Sequence, residues 1–293
     1  MILEYTVTPS QEGKRVDSIL RRDLSISSSA IRRAKWADHI LLNGQSVHTN
    51  HLVHEGDVLQ FISPDGETPV YVPCPFETEL SIPYEDEDLM VIDKRAGMAV
   101  QTSQNHPDDA LENALYAYFG RPDGFIFRPV NRLDKGTSGL MLVAKNGIVQ
   151  HLLQRQLHSP ELERRYLAVT DGVPEKREDT ICLPIGKEDS ASIRRIITPD
   201  GRESITHYTV LREHGGRALL RLRLETGRTH QIRVHLSAIG CPVFGDFLYG
   251  KESEELPGRF ALHSHALTFR HPVTREVMHL ESPLPEELSR LLS

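Results

Sequence analysis

The sequence predicts an α+β fold in two parts, a small N-terminal unit followed by a larger, strand-rich one. Three observations predict it. Two short helical patterns lead into an Asn-Gly hairpin ahead of residue 63; prolines at Pro64, Pro69, Pro73, Pro75 and Pro83 then interrupt any regular pattern; beyond them, strand patterns outnumber helical ones. The expected division is residues 1–63, a linker over 64–79, and a second unit over 80–293.

In the first unit, Val16, Ile19 and Leu20 recur at helical spacing after Gly13-Lys14. Ser27-Ser28-Ser29 can supply the N-cap of a second helix carrying Ile31, Ala34 and Trp36. Ile40-Leu41-Leu42, the turn pair Asn43-Gly44, and Val47 read as a hairpin, and Glu55-Gly56-Asp57 introduces a strand over Val58–Ile62. In the second unit, Leu89–Asp93 reads as a buried strand. A helix over about 110–119 follows, with Leu111, Leu115 and Tyr118 at helical spacing. Leu140–Ala144 is a second buried strand, and Asn146 caps a helix whose face is Val149, Leu152, Leu153 and Leu157, stopped by Ser159-Pro160. Strands are expected at Tyr166–Val169, Ile205–Leu211 and Arg217–Glu225, the last placing Ala218, Leu220, Leu222 and Leu224 on one face. Phe260–Phe269 alternates and turns at His271-Pro272, and Pro285–Leu292 forms a short terminal helix.

Composition narrows the function classes. The three cysteines, Cys74, Cys182 and Cys241, are far apart and form no Cys-x-x-Cys pair, which argues against a disulfide framework and a thiolate metal site and fits a reducing cytoplasm. The N-terminus has no basic segment leading into an apolar core, and no run is long enough to span a bilayer, so a cytoplasmic protein without membrane association is expected. The net charge of −7 opposes a nucleic-acid partner in sum, but its distribution does not. Between Lys14 and Lys35 seven basic residues, among them Arg32, Arg33 and Lys35, face two acidic ones. A polyanion senses such a patch within a screening length of about 8 Å, so RNA remains a candidate. His48, His51 and His54 have no carboxylate or thiol in ligand register and read as exposed loop residues.

Two polar stretches carry the chemistry. In the first, Arg132-Leu133-Asp134-Lys135-Gly136-Thr137-Ser138-Gly139 precedes a buried strand, so Asp134 sits on a loop anchored at a strand end. Gly136 and Gly139 flank Thr137-Ser138 and permit a tight turn or a close approach. A carboxylate held beside an arginine there can be a nucleophile, an electrostatic anchor or a turn cap. In the second, Thr226 to Leu236, Thr229 is placed to cap a helix with Ile232, Leu236 and Ile239 on its apolar face and Gly240 as its stop. A helix macrodipole opposes cations in the first turn, so Arg228 and Arg233 point to anion binding.

These stretches, with Arg165–Val169, Gly245-Asp246-Phe247-Leu248-Tyr249-Gly250, Leu262–His265 and His271-Pro272, occur in the order found in pseudouridine synthases of the RluA group, which the chain resembles from about residue 80 to 288. Residues 13–62 resemble the S-four-type RNA-binding module. The resemblance implies a catalytic domain built on a large mixed, mainly antiparallel sheet flanked by helices, and isomerisation of specific uridines in structured RNA, either large-subunit ribosomal RNA or tRNA. It implies Asp134 as the catalytic aspartate, Tyr166 as the platform for the flipped base, and Arg233 as the partner of Asp134. Arg132 would enter the RNA to displace the nucleotide. Lys135, Thr137, Arg228 and Thr229 would contact RNA at the site, and Arg32, Arg33 and Lys35 at the N-terminal unit. No cofactor and no metal are expected, because the reaction breaks a glycosidic bond and rejoins the uracil through carbon 5 without redox chemistry; a monomer is expected as well. The residues leave open whether the carboxylate adds to the base, attacks the sugar or abstracts a sugar proton.

The sequence departs from the group's pattern at Asn131, where histidine is usual, at Arg95 after Lys94, and at Gln101-Thr102; Asp38 stands where the N-terminal module usually has glycine and predicts a helix end less tightly wound back. Two other classes fit parts of the pattern. An RNA chaperone would use the basic face alone, and a glycoside hydrolase would place a second acid across from Asp134 in place of the arginine.

Overall fold

The computed structural model describes residues 2–24, 26, 28–36, 38–62, 71–157, 159–189 and 192–293, without the side chains of Ser28, Ser29, Arg33 and Trp36. The expected cap at Ser27, the side chain of Arg33, and the 63–70 part of the expected linker lie outside the described residues.

The chain begins with β1 (Ile2–Thr6), the short helical turn α1 (Val16–Ser18), which continues as a wider turn through Asp23, and α2 (Ser28–Trp36). Then come β2 (Ile40–Leu42), β3 (Gln45–Ser46) and β4 (Val58–Ile62), giving a four-stranded antiparallel sheet in the order β1-β4-β2-β3. The hairpin turns through Asn43 (φ 51°) and Gly44 (φ 79°), the left-handed pair that a two-residue turn requires. Asp38 also adopts a left-handed φ of 55°, and the His39 N–H donates to the Ala34 carbonyl at 3.0 Å. The wound-back helix end forms with aspartate in place of glycine, because a short polar side chain tolerates this region. β1 was not legible: half-exposed throughout, it offers the core only Leu3 and Tyr5. Val16, Ile19, Leu20, Leu59 and Phe61 form the core of this unit, and it also takes in Ile148 from the helix Gly147–Leu157.

The rest of the chain contributes β5 (Ser81–Glu85), β6 (Leu89–Lys94), α3 (Leu111–Tyr118), β7 (Ser138–Ala144), α4 (Gly147–Leu157), β8 (Glu163–Asp171), β9 (Glu178–Cys182), β10 (Ile185–Lys187), β11 (Arg195–Ile197), β12 (Ile205–His214), β13 (Arg217–Leu224), α5 (Gln231–Ala238), β14 (Leu262–Arg270), β15 (Val277–Glu281) and α6 (Glu286–Ser289). Among the described residues nine strands form one sheet in the order β5-β6-β7-β14-β8-β13-β12-β9, with β15 added beside β14. Every pairing is antiparallel except β7 with β14, so the sheet is mixed and mainly antiparallel. β10 and β11 form a separate hairpin.

The continuous apolar runs of β6 and β7 reflect burial on both faces. Met90, Ile92, Met141 and Val143 face a core closed by Leu111 and Leu115 of α3, Ile232 and Leu236 of α5, and Leu288, Leu291 and Leu292. Leu89, Val91, Leu140 and Leu142 face the opposite core with Val149 and Leu153 of α4. The cap of α4 is as expected, the Asn146 side chain accepting from the Val149 N–H at 2.9 Å. Tyr118 and Ile239, expected on apolar faces, are exposed; the Tyr118 hydroxyl instead donates to Glu85 at 2.7 Å.

Gly139 lies where β7 meets β14. Its φ is 106°, and a β-carbon there would stand 2.2 Å from the Ser264 carbonyl oxygen. The close approach is thus to the chain's own backbone. Gly139→Ala is expected to cost about 2–3 kcal/mol, read as a lower denaturant midpoint at unchanged slope.

Candidate active site

The parallel pairing of β7 and β14 sets the geometry. Gly139 pairs with Ser264, Ser264 with Tyr166 of β8, and Lys94 of β6 with Gly139, so one row across the sheet runs directly beneath the Asp134 loop. The loop is pinned from below. Ser138 Oγ lies 2.9 Å from His263 Nδ1 and accepts from Arg259 Nη2 at 3.1 Å, while a β-carbon on Gly136 would collide with the Phe260 ring at 2.7 Å. The buried Lys94 ammonium donates to the carbonyls of Arg95 and Met98, each at 2.9 Å, and of Lys135 at 3.3 Å, joining the end of β6 to the loop. Burial pulls its pKa down to about 7, against the opposing charge of Asp134.

Asp134 and Arg233 meet above this floor. Arg233 Nη1 donates to Asp134 Oδ2 at 2.9 Å. The same guanidinium makes a two-point contact to Asp246, Nε to Oδ2 at 2.6 Å and Nη2 to Oδ1 at 2.8 Å. Asp246 is wholly buried and also accepts from the backbone N–H groups of Leu248 and Tyr249 at 3.0 and 3.2 Å. Phe260 and Tyr249 cover the guanidinium faces at 4.2 and 5.0 Å. Burial alone would lower the Arg233 pKa, but the hydrogen bonds to Asp246 and the charge of Asp134 raise it on balance. The planar fork is therefore a rigid post that aims at Asp134. Across from Asp134 stands an arginine, and Asp246 is sealed behind it, so the paired-acid arrangement of a glycoside hydrolase is not formed.

The cleft over Asp134 is open, with about 380 Å³ of empty space, and is lined by Arg132, Leu133, Asp134, Thr137, Tyr166, Leu224, Arg228, His230, Gln231, Ile232, Arg233 and Leu262. Of the residues expected at the site, Arg132, Asp134, Thr137, Tyr166, Arg228 and Arg233 come together here. Arg132 is exposed at the rim, whereas Tyr166 is 6% exposed and burial raises its phenol pKa. Lys135 and Thr229 are exposed outside the cleft; Thr229 lines a neighbouring groove with Lys187, Arg195, Arg202 and Arg228. Arg32 and Lys35 are exposed on α2.

Thr229 does not cap α5. The cap position is His230, with φ 59° and no side-chain cap bond, and Gln231 Oε1 accepts from the Arg228 N–H at 2.9 Å and the Thr226 hydroxyl at 3.0 Å. Sequence reasoning missed Asp246, Tyr249 and His230, although Gly245–Gly250 was marked as a motif. The departures have local uses: Asn131 Oδ1 accepts from the Leu142 N–H at 2.9 Å, Thr102 Oγ1 donates to Glu112 at 3.1 Å, and Arg95 lies 6.0 Å from the Phe76 ring centre.

Among the described residues, Asp86, Asp88 and His271 are close enough to share a cation. Asp86 Oδ2, however, accepts from the Tyr84 hydroxyl at 2.7 Å and from His271 Nε2 at 2.8 Å, and His271 Nδ1 accepts from the N–H groups of Val273 and Thr274 at 3.2 and 3.1 Å. With both imidazole nitrogens engaged, this cluster reads as a clasp on the 271–276 turn.

Residues 88–238 match the profile of the RNA pseudouridylate synthase family. The chain is 38% identical over 276 residues to YjbO of Bacillus subtilis (strain 168), an uncharacterized RNA pseudouridine synthase, covering 92% of this chain and 95% of that one. It is 36% identical over 310 residues to ribosomal large subunit pseudouridine synthase D of Xanthomonas campestris, covering 99% and 92%. Human RNA pseudouridylate synthase domain containing 1 has a similar structure, with a TM-score of 0.58 at 30% identity over 70% of this chain and 83% of that one.

Proposed function

Since the chain belongs to the RNA pseudouridylate synthase family and is an RNA pseudouridine synthase, we propose that Asp134 is the carboxylate that carries the isomerisation and that large-subunit ribosomal RNA is its substrate. The observation that carries this reading is the Asp134–Arg233 contact of 2.9 Å in an open cleft beside Tyr166. Arg233, fixed by Asp246, orients the carboxylate toward the cleft. Tyr166 offers the flipped uracil an aromatic surface, and Arg132 at the rim fills the space the nucleotide leaves. Thr137 and Arg228 bind from the cleft wall, with Lys135 and Thr229 touching RNA outside it. Three relatives named as ribosomal large subunit pseudouridine synthase D, at 34–36% identity, support the choice of ribosomal over transfer RNA. In this reading the enzyme acts as a cytoplasmic monomer.

The test is chemical labelling of pseudouridine in RNA from cells with and without this protein. A pseudouridine in large-subunit ribosomal RNA should disappear with the gene and return with it. Loss confined to tRNA would overturn the choice of substrate, and no loss in either RNA would overturn the reading.

In this proposal residues 1–63 are an S-four-type grip on RNA, supported by the helix pair and hairpin and by exposed Arg32 and Lys35 on α2. Substituting both by alanine should weaken RNA binding and flatten its salt dependence by about one unit of log–log slope per side chain. Conversion at saturating RNA should remain, as measured by binding and turnover at several ionic strengths.

A further inference from the structure

His230 occupies a strained place for a reason its own helix does not supply. Its φ of 59° and ψ of 16° lie in the left-handed region, and its side chain makes no cap bond to α5. That backbone turn carries the imidazole over the cleft, where Nε2 lies 3.9 Å from Asp134 Oδ1, beyond hydrogen-bond length. The other ring nitrogen is held. The Arg195 backbone N–H donates to Tyr249 Oη at 2.8 Å, which leaves the phenol's own hydrogen for His230 Nδ1 at 2.9 Å. With that hydrogen donated to Nδ1, a neutral ring carries its own on Nε2, facing the cleft. Burial lowers the His230 pKa; the charge of Asp134 opposes this and that of Arg233 adds to it, leaving the ring neutral at pH 7.

We propose that His230 is a further catalytic residue, whose Nε2–H donates to a carbonyl oxygen of the flipped uracil while Asp134 acts on the same nucleotide. The proposal rests on the isomerase reading above. When the N1–C1′ bond breaks, its electron pair stays on the uracil and the charge spreads from N1 onto the ring carbonyls. When the C5–C1′ bond has formed, C5 releases its hydrogen as a proton and N1 takes one up. A fixed N–H donor binds the charged ring more strongly than the neutral base, so it lowers the barrier to cleavage without giving up its hydrogen. Neutrality matters: an imidazolium at this distance would pair with Asp134 and blunt the carboxylate. Tyr249 is the positioning residue that selects the tautomer.

The experiment uses transcripts of large-subunit ribosomal RNA and of tRNA labelled with [5-³H]uridine, which release tritium as C5 loses its hydrogen. His230→Asn keeps a residue that tolerates the left-handed backbone but whose amide stops short of Nε2; His230→Gln reaches that position with an N–H. In single turnover at saturating protein, His230→Asn is expected to lose about 10²-fold in rate with its Kd for RNA changed less than about threefold, and His230→Gln to recover about tenfold of the loss. Tyr249→Phe, which keeps the imidazole but frees its tautomer, is expected to fall between the parent and His230→Asn, with parental Kd. Parental rates in His230→Asn, equal losses in His230→Asn and His230→Gln, or a loss confined to Kd would each overturn the proposal. Should His230→Asn fail to fold, a parental rate in Tyr249→Phe would do the same. A parent enzyme that releases no tritium from either RNA overturns the isomerase reading itself.

Discussion

Asp134→Asn is expected to lower uridine conversion by at least about 10³-fold, because it removes the carboxylate proposed to act as nucleophile or base while preserving its shape. The fold should survive. Arg233 keeps its two-point contact to the buried Asp246, and the asparagine carbonyl can still accept from Arg233 Nη1, so the stability change should stay near about 1 kcal/mol. RNA binding should persist, since the exposed basic residues of α2 and Arg132 at the rim are untouched. The checks are single-turnover tritium release, filter binding and thermal unfolding on the same preparation. A variant that unfolds, or one that turns over at the parental rate, would refute the assignment by different routes.

Asp246→Ala has the opposite profile: a large structural penalty first, and loss of activity through it. The carboxylate is wholly buried and Arg233 is 3% exposed, so truncation leaves a guanidinium inside the protein with only Asp134 as partner. Breaking a buried pair from one side costs about 3–5 kcal/mol. It also frees two backbone N–H groups, of Leu248 and Tyr249, that Asp246 accepts. Urea unfolding should show a midpoint lowered by that free energy divided by the denaturant slope. Conversion measured below the transition should still fall, because Arg233 is no longer aimed at Asp134.

Most of the large sheet was legible because its strands are buried on both faces or alternate cleanly. Leu89–Asp93, Leu140–Ala144 and Arg217–Leu224 carry their burial in their spelling. β1, β5 and β15 do not, since every second residue is exposed and the rest only half-buried, which leaves little hydrophobic period to read. β10 and β11 are three residues each and are set by their mutual pairing. At the site, Asp134, Tyr166 and Arg233 stood out through motif order. Asp246 did not, because a carboxylate between glycine and phenylalanine reads as a turn, and its meaning depends on an arginine 13 residues away. His230 was hidden by Thr229, the better cap by residue type. The left-handed backbone that selects histidine as the cap position leaves no periodic trace.

The single parallel pairing in the sheet also has a consequence for how the enzyme comes into being. Strand β14 ends at Arg270, yet it is the strand on which β7 closes and against which the Asp134 loop is pinned, across 125 residues from Ser138 to His263. Asp134 and Arg233 are themselves separated by 99 residues. The Asp134–Arg233 contact cannot form on a growing chain before residue 233 is made, nor the β7–β14 pairing before residue 264, and non-local pairing of this kind places folding in the slow class. A nascent chain still lacking β14 has no partner for the start of β7 and nothing to pin the Asp134 loop from below.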